Sequence, residues 1–430
     1  MGSGQSSEVD ANSVPLNEVL NENGRSLKWL KEQLEKKDSK FGELAKTHEI
    51  EEAKCNRIGV GKGYCSHVYR VNFKFKPEDS VHSIVMKIPT IAPMVAVYEG
   101  REISDEKRAK MTKTVVDLHN IECEAYEHLK DLKSIGFPIP AVYATEKCVD
   151  GQMGILAMED MSVGTLSMDV FKSVTVEQSL NFARYIADFQ AFVANLPADT
   201  LQNNFSSCYY VDRFVGGNAV VVDESPQKAF AKLVDFRPEE QSGLIKEYMK
   251  LNLYEFSKYT LQDIAKEYNA TTWCHGDIWS NNVLISCNRP DEIAAFLDWA
   301  IMFQGSPLFD IACFLCWCAD EEVRKKMETQ LLDVYYERLT ENLRRVDRQV
   351  PFSRAQAQEL YELSFLHTNT TFCEMVAAAA FPLSQSDKKE DLERFEVLWK
   401  RLLSAMDVMH LMEKYKIVEK FGRQNVEETI

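Results

Sequence analysis

Apolar and polar positions alternate in two different ways along this chain, and the change falls near residue 160. Over 55–76 and 82–90, Val, Ile, Phe and Tyr alternate with polar residues, the period of half-buried strands. Residues 141–148 and 153–159 read as two more strands, joined by a turn at Asp150-Gly151. Ser26 can cap a helix with Leu27, Leu30 and Leu34 on one side, ending near Lys40. A second helix is predicted over 112–133, stopped by Gly136 and the Pro138/Pro140 pair. Beyond residue 160 the period is mostly helical, over 175–195, 225–233, 240–268, 307–319, 321–345, 354–380 and 388–419. Two short β stretches, 282–286 and 293–298, bracket a turn at 288–291. Residues 199–224 form a loop-rich insert with Tyr209, Tyr210 and a Gly216-Gly217 turn. It can cover a binding site or serve as surface padding. The expected class is α+β. A polar, disordered leader (1–25) precedes a small β-rich unit with one main helix (26–160) and a larger helical unit (161–430).

Composition narrows the function. The chain is 45% apolar and 10% aromatic, which describes an ordered globular protein. Its net charge of −16 argues against nucleic acid, whose binding rests on Lys and Arg. Eleven cysteines fall at no disulfide-framework spacing, and no secretory apolar segment precedes them, so a cytoplasmic, reducing compartment is expected. Cys313, Cys316 and Cys318 form a C-x-x-C-x-C cluster without nearby partners at ligand spacing. They are read as small hydrophobes of a buried helix. The longest apolar runs, 311–319 and 375–383, are too short to span a bilayer. Met1-Gly2 followed by Ser6 fits an N-myristoylation pattern, but the first 24 residues hold four acids and no Lys or Arg. Membrane contact is expected only if Gly2 is acylated, and then only marginally.

The chemistry concentrates at 273–282, Trp-Cys-His-Gly-Asp-Ile-Trp-Ser-Asn-Asn. Asp277 is followed five residues later by Asn282, and Asp298 ends the next apolar run. Phosphoryl transfer needs these groups at these intervals. One carboxylate orients the acceptor hydroxyl and takes its proton, while an amide oxygen and a second carboxylate hold Mg²⁺ against the phosphates. His275 is read as a prop for the loop. Asp310, at the start of an apolar helix, is read as a cap or brace. Upstream, Gly59, Gly61 and Gly63 let backbone approach phosphates without a Cβ in the way, and Ser66 can donate to one. The segment is not a Walker A loop, since no Gly-Lys-Ser/Thr closes it into a helix. Lys87 lies inside an apolar strand and needs a partner. Glu122 on the following helix is proposed. Glu124 is the rival, turned about 200° away.

These residues resemble the choline-kinase and aminoglycoside-phosphotransferase superfamily, and within it the ecdysteroid-kinase-like (CHK-kinase-like) group. The likeness is carried by Arg57-Ile-Gly59-Val-Gly61-Lys-Gly63-Tyr-Cys-Ser66, Val85-Met86-Lys87-Ile88, Glu122-Cys-Glu-Ala-Tyr126 and Ala157-Met158-Glu159-Asp160-Met161. It continues in His275-Gly-Asp277 through Asn282, Asp298-Trp299, and Gly305-Ser-Pro307-Leu-Phe-Asp310. It spans 51 to about 415. Ala300 and Ser306 depart from the group's pattern at positions that neither metal nor base requires. The resemblance implies a protein-kinase-like two-lobe fold and an ATP- and Mg²⁺-dependent phosphotransferase acting on a small hydroxylated acceptor, such as an ecdysteroid. It also implies a hinge at Met158, Glu159 and Asp160 whose backbone faces adenine. Choline- or ethanolamine-type kinase activity is one alternative, and a non-catalytic protein holding nucleotide or lipid is another. A protein acceptor is disfavoured. Gly276 stands where protein kinases carry Arg, Trp299 follows Asp298, and no Ala-Pro-Glu closes an activation segment.

Overall fold

An alternating strand needs something for its apolar face to bury against, and in the first unit two short helices supply it. A computed structural model describes residues 19–20, 25–59, 63, 65–77, 80–98, 100, 102–214, 226–240 and 243–423. It divides into two units, residues up to 164 with 298–300, and residues 165–297 with 301–430. The boundary falls where the period changes. Gly2, Gly61 and residues 215–224 of the insert lie outside the described residues, as does the leader apart from Val19–Leu20 and Arg25. Those two residues pair antiparallel with Arg25–Ser26.

In the first unit, α1 (Leu27–Lys37) starts at Ser26, whose hydroxyl accepts from Trp29 N. It stops earlier than Lys40, because Asp38 turns the chain and caps α2 (Ser39–Thr47) by accepting from Phe41 N. Leu27, Leu30, Leu34 and Phe41 bury against Val71, Phe73, Phe75, Ile84 and Met86. The single strand expected over 55–76 is two, β1 (Glu49–Ile58) and β2 (Ser66–Lys76), parted by the glycine segment. Gly59 begins that break with φ +63°, a left-handed turn that favours glycine. With β3 (Ser80–Pro89), β4 (Val142–Glu146) and β5 (Ile155–Glu159), they form an antiparallel sheet in the order β1-β2-β3-β5-β4. The main helix, α3 (Asp105–His128), starts before the predicted 112. Ser104 caps it by accepting from Lys107 N, and its first two turns are polar and carry no apolar period.

In the second unit, α4 (Val176–Asn195) begins with a Thr175/Gln178 capping box. Further along the chain come α5 (Phe309–Cys318), α6 (Glu321–Arg344) and α7 (Arg354–Met375). Arg338 on α6 donates to Asp188 on α4 at 2.7 Å, and Phe182 stacks on Phe314 of α5 with centroids 4.0 Å apart. α7 is buried along most of its length despite the run Ser364-Phe-Leu-His-Thr-Asn-Thr-Thr371. Its hydroxyls bond back to the helix, Thr368 to Ser364 O at 2.8 Å and Thr370 to His367 O at 2.7 Å, so burial leaves these donors satisfied. The 240–268 segment breaks into Leu244–Met249, Leu253–Lys258, a π turn at Tyr259–Asp263 and Ile264–Glu267. The 388–419 segment becomes Lys389–Ala405, Met409–Lys414 and Ile417–Phe421. The expected 354–380 helix passes into a π turn at Val376–Ala380. Among the described residues no helix is long and apolar enough to cross a membrane.

Five short strands position the chemistry: β6 (Thr165–Ser167), β7 (Thr272–Cys274), β8 (Val283–Ser286), β9 (Ile293–Phe296) and β10 (Phe303–Gly305). β8 pairs antiparallel with both β9 and β6, and β7 with β10. The loop 275–282 is therefore held at both ends, by β7 before it and β8 after it.

Burial ties stability to pH. His119 is pushed down to about 4 by burial, and His367 to about 3 by burial with Arg213 nearby. Both folded values lie below the unfolded 6.5, so unfolding takes up protons and their contribution is lost as pH falls from about 6.5. Asp310, raised to about 6 by burial, works in the opposite sense below that pH. Glu122, raised to about 7 by burial, works in that opposite sense too. The histidine contribution is therefore read as a difference: the melting temperature of His367→Gln relative to wild type should rise from pH 7 to pH 5, measured by thermal denaturation across that range.

Candidate functional site

The first unit contributes a charged cluster to an otherwise apolar sheet. Lys87 sits on β3 opposite Val68 and Leu156. Its ammonium donates to Glu122 Oε1 at 2.7 Å and to Asp298 Oδ1 at 3.0 Å. Burial pulls the lysine down, but the Asp298 and Glu122 carboxylates more than offset it, and Lys87 stays protonated above the usual lysine range. Glu122 is 3% exposed, and burial pushes it up to about 7 with Lys87 opposing. Glu124 turns to Lys147 at 3.0 Å, which settles the rivalry on α3 in favour of Glu122. Asp298 holds a backbone φ of +67°, an uncommon left-handed conformation for a non-glycine residue and one that clusters at functional sites. The sequence reading assigned Lys87 one partner, and the structure gives it two.

The expected hinge is largely committed to the fold. Met158 pairs with Val85 and Val142 within the sheet, and Glu159 N donates to Ala141 O at 2.8 Å. The Glu159 carboxylate accepts from Lys133 and from Ala141 N. Asp160 accepts from Arg70 at 2.9 Å and from Ser83 at 2.5 Å. Burial opposes its ionisation, yet the Ser162 and Ser83 hydrogen bonds and the Arg70 charge hold it below its ordinary value. The Glu159 and Asp160 side chains therefore brace the segment. Ser66 opens β2 opposite Pro89 at the far side of the glycine segment.

The second unit holds the loop. Asn282 donates its amide to Asp277 O at 2.8 Å and to Asp277 Oδ2 at 2.9 Å, locking the two side chains together. His275 Nε2 lies 3.0 Å from Leu297 O, and its Nδ1 accepts from Asp277 N at 3.3 Å. That pattern fits a ring with its proton on Nε2, which ties His275 into the loop. Asp310, 1% exposed at the start of α5, accepts from His275 N at 2.8 Å and Gly276 N at 3.0 Å. Gly276 has φ +92°, and a Cβ there would meet Ile301 O at 2.3 Å, so the position admits only glycine. Leu297 N returns to Asn282 O at 2.9 Å, and the next residue is Asp298.

Sequence reasoning missed Tyr210, which donates to Gly276 O at 2.8 Å from within the insert, and the buried pair of Arg213 with Glu374 at 2.7 Å. Only the unusual Tyr209-Tyr210 doublet hinted at the first. The three cysteines of α5 are buried, and among the described residues no group of three metal-ligating side chains forms. Replacing Asp310 by Asn puts an amide N–H against a backbone N–H. The expected loss is about 1–3 kcal/mol, from one orphaned buried donor, read by urea unfolding at pH 7.5.

Residues 28–416 match the family model described as "Uncharacterized oxidoreductase dhs-27" (DUF1679). Its namesake in Caenorhabditis elegans is 21% identical over 81% of this chain, which spans only 41% of that protein. An uncharacterized kinase-like protein of the same organism is 24% identical, over 72% of this chain and 79% of its own. Among solved structures, choline kinase from Cryptosporidium parvum Iowa II is 11% identical over 92% of this chain and 97% of its own, with a TM-score of 0.47. The GDP and kanamycin complex of an aminoglycoside 2″-phosphotransferase is 12% identical over 84% and 95%, with a TM-score of 0.41.

Proposed function

The chain belongs to the family described as uncharacterized oxidoreductase dhs-27, and with a kinase-like fold as the frame we propose that it transfers phosphoryl groups from ATP to a hydroxyl of a small molecule. The observation that carries this is Lys87, an ammonium held by Glu122 and Asp298 on an apolar strand. Burying such a cluster is costly, and it is retained where the charge has work to do. Lys87 orients the α- and β-phosphates, and Glu122 holds Lys87 in place. Backbone from Gly59 to Gly63, with Ser66, covers the phosphates, and Met158 to Asp160 faces the base. Asp277 accepts the proton of the acceptor hydroxyl as its oxygen bonds to the γ-phosphorus and ADP leaves. Asn282 and Asp298 offer an amide oxygen and a carboxylate, hard oxygen donors that suit Mg²⁺, which usually takes few protein ligands beside the phosphates. When bound, the ion neutralises charge that develops on the phosphates.

The oxidoreductase name belongs to the longer dhs-27 protein. Here the glycine segment joins two antiparallel strands, whereas a dinucleotide fingerprint runs from a strand into a helix. The acceptor we favour is a hydroxylated steroid-like compound or glucoside. Incubation with γ-labelled MgATP and a pooled extract of small hydroxylated metabolites should give a labelled product that Asp277→Asn does not make. Labelled phosphocholine or phosphoethanolamine as the main product would replace this acceptor class with the choline type. No label, together with no ATP-dependent rise in melting temperature, would overturn the reading.

A further inference from the structure

Tyr210 reaches the loop from 66 residues upstream, and contacts on both sides of it fix where its hydroxyl lies. Before it, Gln304 on β10 laces the insert down. The Gln304 backbone N–H donates to Phe205 O at 2.7 Å, and its side-chain amide donates to Leu201 O at 2.7 Å and Asn204 O at 2.6 Å. After it, Arg213 pairs with Glu374 through two bonds at 2.7 and 2.8 Å. Between these pins, the single helical turn Tyr209–Asp212 sets the Tyr210 ring against Phe303, Phe309 and His367, at centroid distances of 6.4, 5.4 and 5.6 Å. Tyr210 is buried, and burial with the Asp277 charge keeps its hydroxyl well above the usual tyrosine range, so it stays a donor.

The bond from Tyr210 falls on the one peptide that the rest of the loop holds weakly. Gly276 O belongs to the peptide that leads into Asp277, and glycine turns its backbone at least cost. Rotation there redirects the residue that follows and the carboxylate it carries. Asp310 holds the amides of His275 and Gly276, both ahead of the Gly276 Cα, and so leaves this torsion untouched. The Asp277 N–H gives only a long bond to His275 Nδ1, at 3.3 Å. Asn282 steadies the far side of Asp277, and Tyr210 the near side. We propose that Tyr210 is a positioning residue for phosphotransfer: its hydroxyl fixes the Gly276–Asp277 peptide and so aims the Asp277 carboxylate at the acceptor hydroxyl. This rests on the assignment of Asp277 as the base.

The test is the initial rate of label transfer from γ-labelled MgATP to a pooled extract of small hydroxylated metabolites, read with the full chain at several MgATP concentrations. Tyr210→Phe keeps the ring in its cluster and removes only the hydroxyl. It should lower the maximal rate about tenfold, with the KM for MgATP within about threefold of wild type. Acting through Asp277, it should add nothing to Asp277→Asn, so the double variant should lie within about twofold of Asp277→Asn alone. Tyr248→Phe is the control for a merely structural loss, since Tyr248 also donates a buried bond to a backbone carbonyl, Leu366 O at 3.0 Å, outside the loop. It should lower the melting temperature about as much as Tyr210→Phe and leave the rate near wild type. Equal loss of rate in both variants, a wild-type rate in Tyr210→Phe, or a double variant about tenfold slower than Asp277→Asn would overturn the positioning role while Asp277 keeps its own. Amide hydrogen exchange reads the same restraint without an acceptor. Residues 275–282 should exchange about tenfold faster in Tyr210→Phe and no faster in Tyr248→Phe, and unchanged exchange in Tyr210→Phe overturns the role as well. No label from wild type, or label transfer unaffected by Asp277→Asn, brings down the base assignment and the positioning role with it.

Discussion

Asp277→Asn lowers turnover by roughly 10²–10⁴ with the protein still folded, the range expected for loss of a general base. The substitution is mild for the fold. Asn282 keeps its bond to the backbone carbonyl of residue 277, and a side-chain oxygen remains to accept the second bond. The backbone brace from Asp310 and the Tyr210 bond to Gly276 O involve neighbouring residues and survive. What disappears is the basicity that takes the hydroxyl proton. The loss should therefore appear in kcat, with the KM for MgATP within about threefold of wild type, since the nucleotide contacts assigned to Lys87 are untouched. Steady-state kinetics on any acceptor found by label transfer measures both. Turnover near the wild-type value would remove Asp277 from the mechanism.

Local side-chain contacts were legible in the sequence, and long-range closure was not. Asp277, Asn282 and His275 lie within eight residues of one another, so spacing alone brought them together. Lys87 could be paired with Glu122 because an apolar strand demands a counter-charge and a helix turns Glu124 away. That Asp298 would share the same ammonium, 211 residues on, had no local signal. Tyr210 is a similar case, since its bond to Gly276 depends on how a loop returns across 66 residues. The helix errors have one cause. Apolar periodicity continued through 240–268, although Asn252 starts a new helix by capping Glu255 N and its own N–H goes to Phe421 O. A cap inside a periodic run is invisible when the flanking helices bury the same face. In the opposite sense, the polar start of α3 hid two real turns, because a helix end exposed to water needs no apolar stripe.

Lys87→Met should lower kcat/KM for MgATP by roughly 10²-fold, through lost phosphate positioning. Methionine keeps the stem of the lysine within the sheet and removes only the charge. Two carboxylates then face each other without the ammonium, Glu122 nearly sealed from water and Asp298 partly open at 42% exposure. Removing one partner of a buried pair costs up to about 3 kcal/mol here, with the solvent-screened Asp298 lowering the figure. The pH dependence separates this from a packing defect. Glu122 stands at about 7 even with Lys87 present, above its ordinary 4.5, and without the ammonium it rises further. A carboxyl raised in the folded state binds its proton there first, so stability falls as pH climbs from the unfolded value through the folded one. The deficit of Lys87→Met relative to wild type should therefore shrink from pH 8 toward pH 5, measured as the difference in melting temperature. A deficit constant across that range would mean that the lysine stem, and not its charge, holds α3 to the sheet. The Glu122→Gln variant completes the argument, since it leaves Lys87 with Asp298 alone. Its kcat/KM should then lie between those of wild type and Lys87→Met.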